Sequence, residues 1–280
     1  AAAAGGGGGG PQLVITACVG EGGDGEDDEE EQVLQDLSVL LQLLEHVVAK
    51  DTSELSPAMG ATAGNAVFSG LAMLLPYLNQ EFLGYPAVSS TVFALLRNAI
   101  TAHHTHFTQL PHQAQQALLN AVRLAIGHHS RDVSSAGIEA LAAVAKLQLQ
   151  AKNSVFLQEL RPFQEALFNL LLFEQISPGV LDSVADALFL LILADKDLYI
   201  NNVRGFIAAQ QQQLLQQLQL QSDKVSADQV QQHNQRLVDG FRTLMEDNGL
   251  TTEITRANTQ KFRTNVRKFT QNIRSFLQQK

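Results

Sequence analysis

The chain has 280 residues, 45% of them hydrophobic and 17% charged, with a formal charge of −9. That length suits one or two domains. The composition excludes a wholly disordered chain, and the charge argues against a generic binder of nucleic-acid backbones. One cysteine, Cys18, excludes a disulfide framework and a multi-cysteine zinc site, and no apolar run is long enough to span a membrane.

The chain starts with a low-complexity stretch. Ala1–Ala4 and Gly5–Gly10 precede an acidic run, Glu21 to Glu31, with eight carboxylates in eleven positions. Glycine loses backbone entropy on ordering and adjacent like charges repel, so residues 1–31 are expected to be a disordered Gly/acidic segment. Leu13 to Val19 is a short apolar piece able to dock on a neighbour. A calcium site is the sharper alternative, but the run lacks the spaced acidic ladder and closing Glu of an EF-hand loop. A start at Ala1 rather than Met, with no secretory h-region, reads as a piece of something longer.

From Gln32 onward the signal is helical. Val33, Leu37, Leu40, Leu41 and Leu44 place one amphipathic helix over 32–50. A Ser/Pro/Gly-rich break is expected at Ser53–Gly64 and a second helix at Ala66–Leu78. Three later segments share one pattern of apolar steps, at 0, 4, 7, 8 and 11. They are Val88, Val92, Leu95, Leu96, Ala99; then Ala114, Leu118, Ala121, Val122, Ala125; then Val180, Val184, Ala187, Leu188, Leu191. Pro86, Pro111 and Ser177-Pro178 open them, because proline suits a first helical turn and serine suits a cap. Pro86, Asp132 and Pro178 lie 46 residues apart; Pro111, Ser154 and Leu198 lie 43 and 44 apart. Two helices per unit at that period predict a HEAT/armadillo-type repeat. The expected fold class is therefore all-α, an α-α superhelix of antiparallel helix pairs over 32–280.

The end of the chain departs from the pattern. Gln210 to Gln221 is glutamine-rich and reads as a helix extended past the repeat, with a disordered Gln loop as the alternative. Ala227 to Glu246 reads as a helix with Val230, Leu237, Phe241 and Leu244 on one side, stopped by Asp247-Asn248-Gly249. The last helix, 257–280, has a seam of Phe262, Val266, Phe269, Ile273 and Phe276. Arg256, Lys261, Arg263, Arg267, Lys268 and Arg274 surround it, and past residue 250 the only acid is Glu253. The segment reads as a basic capping helix over the last repeat. The functional alternative makes those six cations the candidate partner-binding residues, meeting an acidic partner surface or acids of the same chain. A membrane-surface helix comes third, since the seam is narrow and no Trp marks an interface.

Candidate chemistry is sparse. His103, His104 and His106, with His112 nearby, invite a metal reading. No Cys and no carboxylate sits among them, and the string lies where a helix is ending, so turn and cap roles are expected. His128-His129 occupies the equivalent place one helix later. Asp182 and Asp186 share a helix face at i, i+4, as paired acid–base carboxylates would, but read as the solvent face of their helix. No nucleophile elbow or phosphate loop occurs, so neither an enzyme nor a cofactor is expected.

Several stretches, in order, resemble the C-terminal end of an exportin. They are Leu75-Pro76-Tyr77-Leu78 to Leu83-Gly84-Tyr85-Pro86, Phe107-Thr108-Gln109-Leu110-Pro111, Ile138-Glu139-Ala140-Leu141, Ala185-Asp186-Ala187-Leu188-Phe189, Gln235 to Phe241, and Phe262 to Phe276. The likeness is exportin-4-like first and exportin-7-like next. The Gly/acidic stretch and the Gln tract have no counterpart in it. Exportins are importin-β-superfamily nuclear transport receptors built from HEAT repeats. The resemblance implies a receptor that binds protein cargo with Ran-GTP, passes the nuclear pore by way of pore proteins, and shuttles between nucleus and cytoplasm. A HEAT-repeat interaction scaffold without Ran dependence is the alternative.

Overall fold

A computed structural model describes residues 26–49, 57–74, 84–151, 156–220, 227–246 and 254–277. Among the described residues there are helices and no strand. They are α1 (Glu26–Ala49), α2 (Pro57–Leu74), α3 (Pro86–Ala102), α4 (His104–Gln109), α5 (His112–Ile126) and α6 (Arg131–Gln150). After them come α7 (Leu157–Phe173), α8 (Pro178–Ala194), α9 (Lys196–Leu220), α10 (Ala227–Glu246) and α11 (Arg256–Leu277).

The apolar steps in the sequence become the buried faces. Val88, Val92, Leu95, Leu96 and Ala99 of α3 are all buried, as are Val180, Val184, Ala187, Leu188 and Leu191 of α8. In α5 the set holds from Leu118 onward, with Ala114 only half-buried. Ser177 caps α8, its hydroxyl accepting from the Val180 N–H, and Pro178 opens the first turn. Asp195 closes α8 and caps α9, accepting from the Leu198 N–H at 2.9 Å.

These faces stack the helices in two rows. One row runs α1, α3, α6, α8, α11; the other runs α2, α4, α5, α7, α9, α10. Across the rows α2 meets α3, α5 meets α6, α7 meets α8, and α10 meets α11. Each pair buries its apolar stripe against its neighbours, so one continuous core threads the stack. This is the HEAT-like all-α solenoid that the period predicts. Phenylalanines stitch it: Phe107 sits between Phe68 and Phe156 at 6.0 and 5.4 Å, and Phe241 lies 4.9 Å from Phe269.

Several boundaries differ from the sequence reading. The acidic run is helical from Glu26, six positions before the expected start, because carboxylates in a first turn are favoured by the helix dipole. The expected break at Ser53–Gly64 is helix over its described part, which falls within α2 (Pro57–Leu74). Gly64 and Gly70 are packing residues, not breakers: a Cβ on Gly64 would lie 2.8 Å from the His106 ring, and one on Gly70 2.9 Å from Leu44. Pro111 precedes α5 as its cap instead of opening it. The glutamine tract continues α9 to Leu220 as a helix. Leu13 to Val19, Cys18, Leu75 to Leu83 and Asp247-Asn248-Gly249 lie outside the described residues, as do the side chains of Val230 and Phe276.

Candidate partner-binding surface

The basic helix α11 seats its seam first. Phe262, Val266, Phe269 and Ile273 are buried, with Phe262 5.2 Å from Phe189 of α8. That orientation decides what each cation reaches. Arg263 donates from Nε to Asp186 Oδ1 at 2.7 Å and from Nη2 to Oδ2 at 2.5 Å, a fork-to-fork pair. Arg267 donates from Nη2 to both oxygens of Asp182 at 2.7 Å. Arg274 donates to the carbonyls of Leu171 at 2.7 Å and Leu170 at 3.3 Å, near the C-terminal end of α7. The bond to Asp186 raises the Arg263 guanidinium above its ordinary range, against burial. Burial lowers that of Arg274, and Glu174 opposes the shift.

Of the six candidate cations, then, Arg263, Arg267 and Arg274 are held by partners on α7 and α8, Arg267 while still exposed. Arg256, Lys261 and Lys268 lie exposed. Lys261 and Lys268 line a shallow concavity with Ala257, Gln260, Thr264 and Asn265. Asn265 also donates to the Thr243 carbonyl of α10 at 3.2 Å.

Asp182 and Asp186 correct the sequence reading. They are not a free solvent face but the half-buried partners of α11. Nothing local could reveal this, because the arginines lie 77 and 85 residues further on. The same row carries further polar links. Arg97 of α3 pairs with Glu139 of α6, and Ser135 of α6 meets Ser183 of α8 at 3.3 Å.

Buried glutamines form a second device that the sequence reading missed, having taken glutamine only as a helix former. Gln115 donates to the carbonyls of Phe107 and Thr108 at the end of α4. Gln164 of α7 donates to Leu191 and Asp195 at the end of α8, at 3.0 and 3.2 Å. Gln148 accepts from the Phe156 N–H at 2.7 Å. Gln148 meets an N–H at the start of α7, a group that a helix terminus leaves orphaned. Gln115 and Gln164 instead add a second donor to helix-end carbonyls: Phe107, Leu191 and Asp195 also accept from the backbone N–H groups of Leu110, Asp195 and Tyr199. A glutamine among apolar stripe positions is the available signal.

The histidines fall at a helix junction. His103 ends α3 and is buried, while His104–Gln109 forms the short helix α4 where a turn was expected. The rings of His103 and His106 meet edge to face with centroids 6.0 Å apart. His112 lies 3.9 Å from Glu159. His128 stacks on His129 at 4.1 Å, and its imidazole is lowered by burial first and by the His129 charge second. Among the described residues no three His, Cys, Asp or Glu side chains cluster as a metal site would need. No described helix is long and apolar enough to cross a membrane.

Stacked helix pairs with one row of polar cross-links and a basic terminal helix define a class: a HEAT-like helical-repeat protein. Residues 32–280 match the family described as CRM1 C terminal. The chain belongs to that family, within the exportin and importin-β lineage. Such an exportin-type solenoid is typical of non-enzymatic transport receptors.

Proposed function

We propose that this chain is the C-terminal part of a nuclear export receptor, exportin-4-like and next exportin-7-like. It carries protein cargo out of the nucleus with Ran-GTP, through the nuclear pore by contacts with pore proteins, and shuttles between nucleus and cytoplasm. The observation that carries the reading is the family match across 32–280. The architecture supports it. Neighbouring pairs contact chiefly each other, so curvature changes at small cost per interface, and a receptor coupling cargo to Ran needs two such global states. Residues 257–280 act as the basic cap. Partner contacts on it fall to Arg256, Lys261 and Lys268, while Arg263, Arg267 and Arg274 hold the helix in place.

The test is a pull-down with the full-length protein and Ran locked in its GTP state. Retention of GTP-locked Ran and not of Ran-GDP is expected. Full-length protein that ignores both Ran and pore proteins overturns the proposal in favour of a HEAT-type scaffold without Ran dependence.

A further inference from the structure

We infer that the groove between α7, α9 and α10 is a docking site for an extended segment of a partner protein, one that carries a large apolar side chain beside lysine or arginine. The groove has a volume of about 340 Å³. Phe168 and Phe241, both buried, form its base, and the half-buried Phe206 forms one wall. The aromatic surface continues outside it: Phe173 is 57% exposed and its ring lies 6.3 Å from that of Phe206. Base and wall together suit one large apolar side chain, with ring faces and edges available for aromatic or aliphatic contact.

The strongest indication is Gly205, in the interior of α9. Glycine there costs about 1 kcal/mol relative to alanine. At Gly64, Gly70 and Gly137 the fold itself accounts for that cost, because a Cβ would meet a neighbouring side-chain atom at 2.8, 2.9 and 2.6 Å. At Gly205 a Cβ would meet nothing within 4 Å, and the residue is exposed and lines the groove. Internal packing therefore does not require it. A glycine facing an open groove admits the close approach of another backbone.

The rim fixes the chemistry of that backbone and its flanks. Asn169, Asn201 and Asn202 offer amide donors and acceptors of the kind an extended main chain needs. Glu165 is the only ionisable residue among the described residues that line the groove, and the whole chain carries −9, so a cation beside the apolar anchor is complementary. Positions 201 to 209 of α9 rise about 12 Å, the length of roughly three to four extended residues. The site is thus short: one anchor and one or two flanking positions.

The proposal goes beyond the transport reading, and its test contains neither Ran nor cargo, so either can fail alone. A random-peptide phage library is selected on the full 280-residue chain, and one enriched peptide is measured by fluorescence anisotropy. Enriched sequences are expected to pair a large apolar residue with Lys or Arg. Gly205→Trp, which fills the groove from a position with open space around it, is expected to weaken binding at least about tenfold, and Glu165→Lys severalfold. Gly205→Ala is expected to melt at or above the wild-type temperature, which separates loss of docking from loss of folding. Acid-rich enriched sequences overturn the inference. So does no enrichment over a Gly205→Trp control, or a peptide whose affinity Gly205→Trp leaves unchanged.

Discussion

Replacing Gln164 by leucine keeps most of the side-chain volume and removes the side-chain donor shared by the carbonyls of Leu191 and Asp195, which keep the backbone N–H groups of Asp195 and Tyr199 as partners. Neither acceptor is left bare, so the expected loss is that of a net hydrogen bond, about 0.5–1.5 kcal/mol in urea unfolding. A variant as stable as wild type contradicts the capping role. Tyr199 presents the opposite case. Its hydroxyl is buried, finds no hydrogen-bond partner in the structure, and burial pushes the phenol well above its ordinary value of 10.0. The unfolded chain therefore loses this proton first as pH rises, and the stability held below pH about 10 declines above it. Tyr199→Phe is expected to unfold at or above the wild-type midpoint at neutral pH and to lose less stability in alkaline titration. For the solvent-accessible pair of Arg267 with the half-buried Asp182, a double-mutant cycle is expected to give a coupling of about 0.2–1 kcal/mol that shrinks with added salt. At this scale the sequence was readable where chemistry is local, as at Ser177, and silent where partners are distant, as at Asp182, Asp186 and Gln164.

Helix contacts depend on how closely two backbones approach, and two glycines separate rigid from yielding contacts. A Cβ on Gly137 of α6 would lie 2.6 Å from the Ala125 Cβ of α5, with Ala125 backbone atoms at 3.6 and 3.7 Å. Alanine has no rotamer to give, so Gly137→Ala is expected to cost about 1–3 kcal/mol by pushing α5 away. A Cβ on Gly240 would meet the flexible end of Ile273 at 2.6 Å. That methyl can swing aside, and the gain in helix propensity of about 1 kcal/mol offsets the shift, so Gly240→Ala is expected to stay near wild type. Thermal unfolding of both variants checks the order, and Gly137→Ala melting at or above Gly240→Ala contradicts it. Helix existence and period were legible because α3, α6 and α8 each bury a long stripe. The start of α2 was not legible, since Gly64 and Gly70 look like breakers until their partners on α4 and α1 are known. Nor was α4, whose six residues are too few to show a period.

At the scale of the whole molecule, the order of helices along two rows follows from period and patterning. The groove at Gly205 does not, because it needs α7, α9 and α10 together. The chain's net negative charge adds an expectation: basic cargo is drawn in by long-range attraction, so its affinity for the full-length receptor falls steeply with ionic strength. A dissociation constant unchanged by salt contradicts that. The central claim is that the stacked helix pairs belong to a receptor whose states are shared between cargo and Ran. The direct measurement is the affinity of full-length protein for a basic cargo with and without GTP-locked Ran. The account predicts tighter binding in its presence, by about 5- to 150-fold for a coupling of typical size. Equal affinity under both conditions contradicts it.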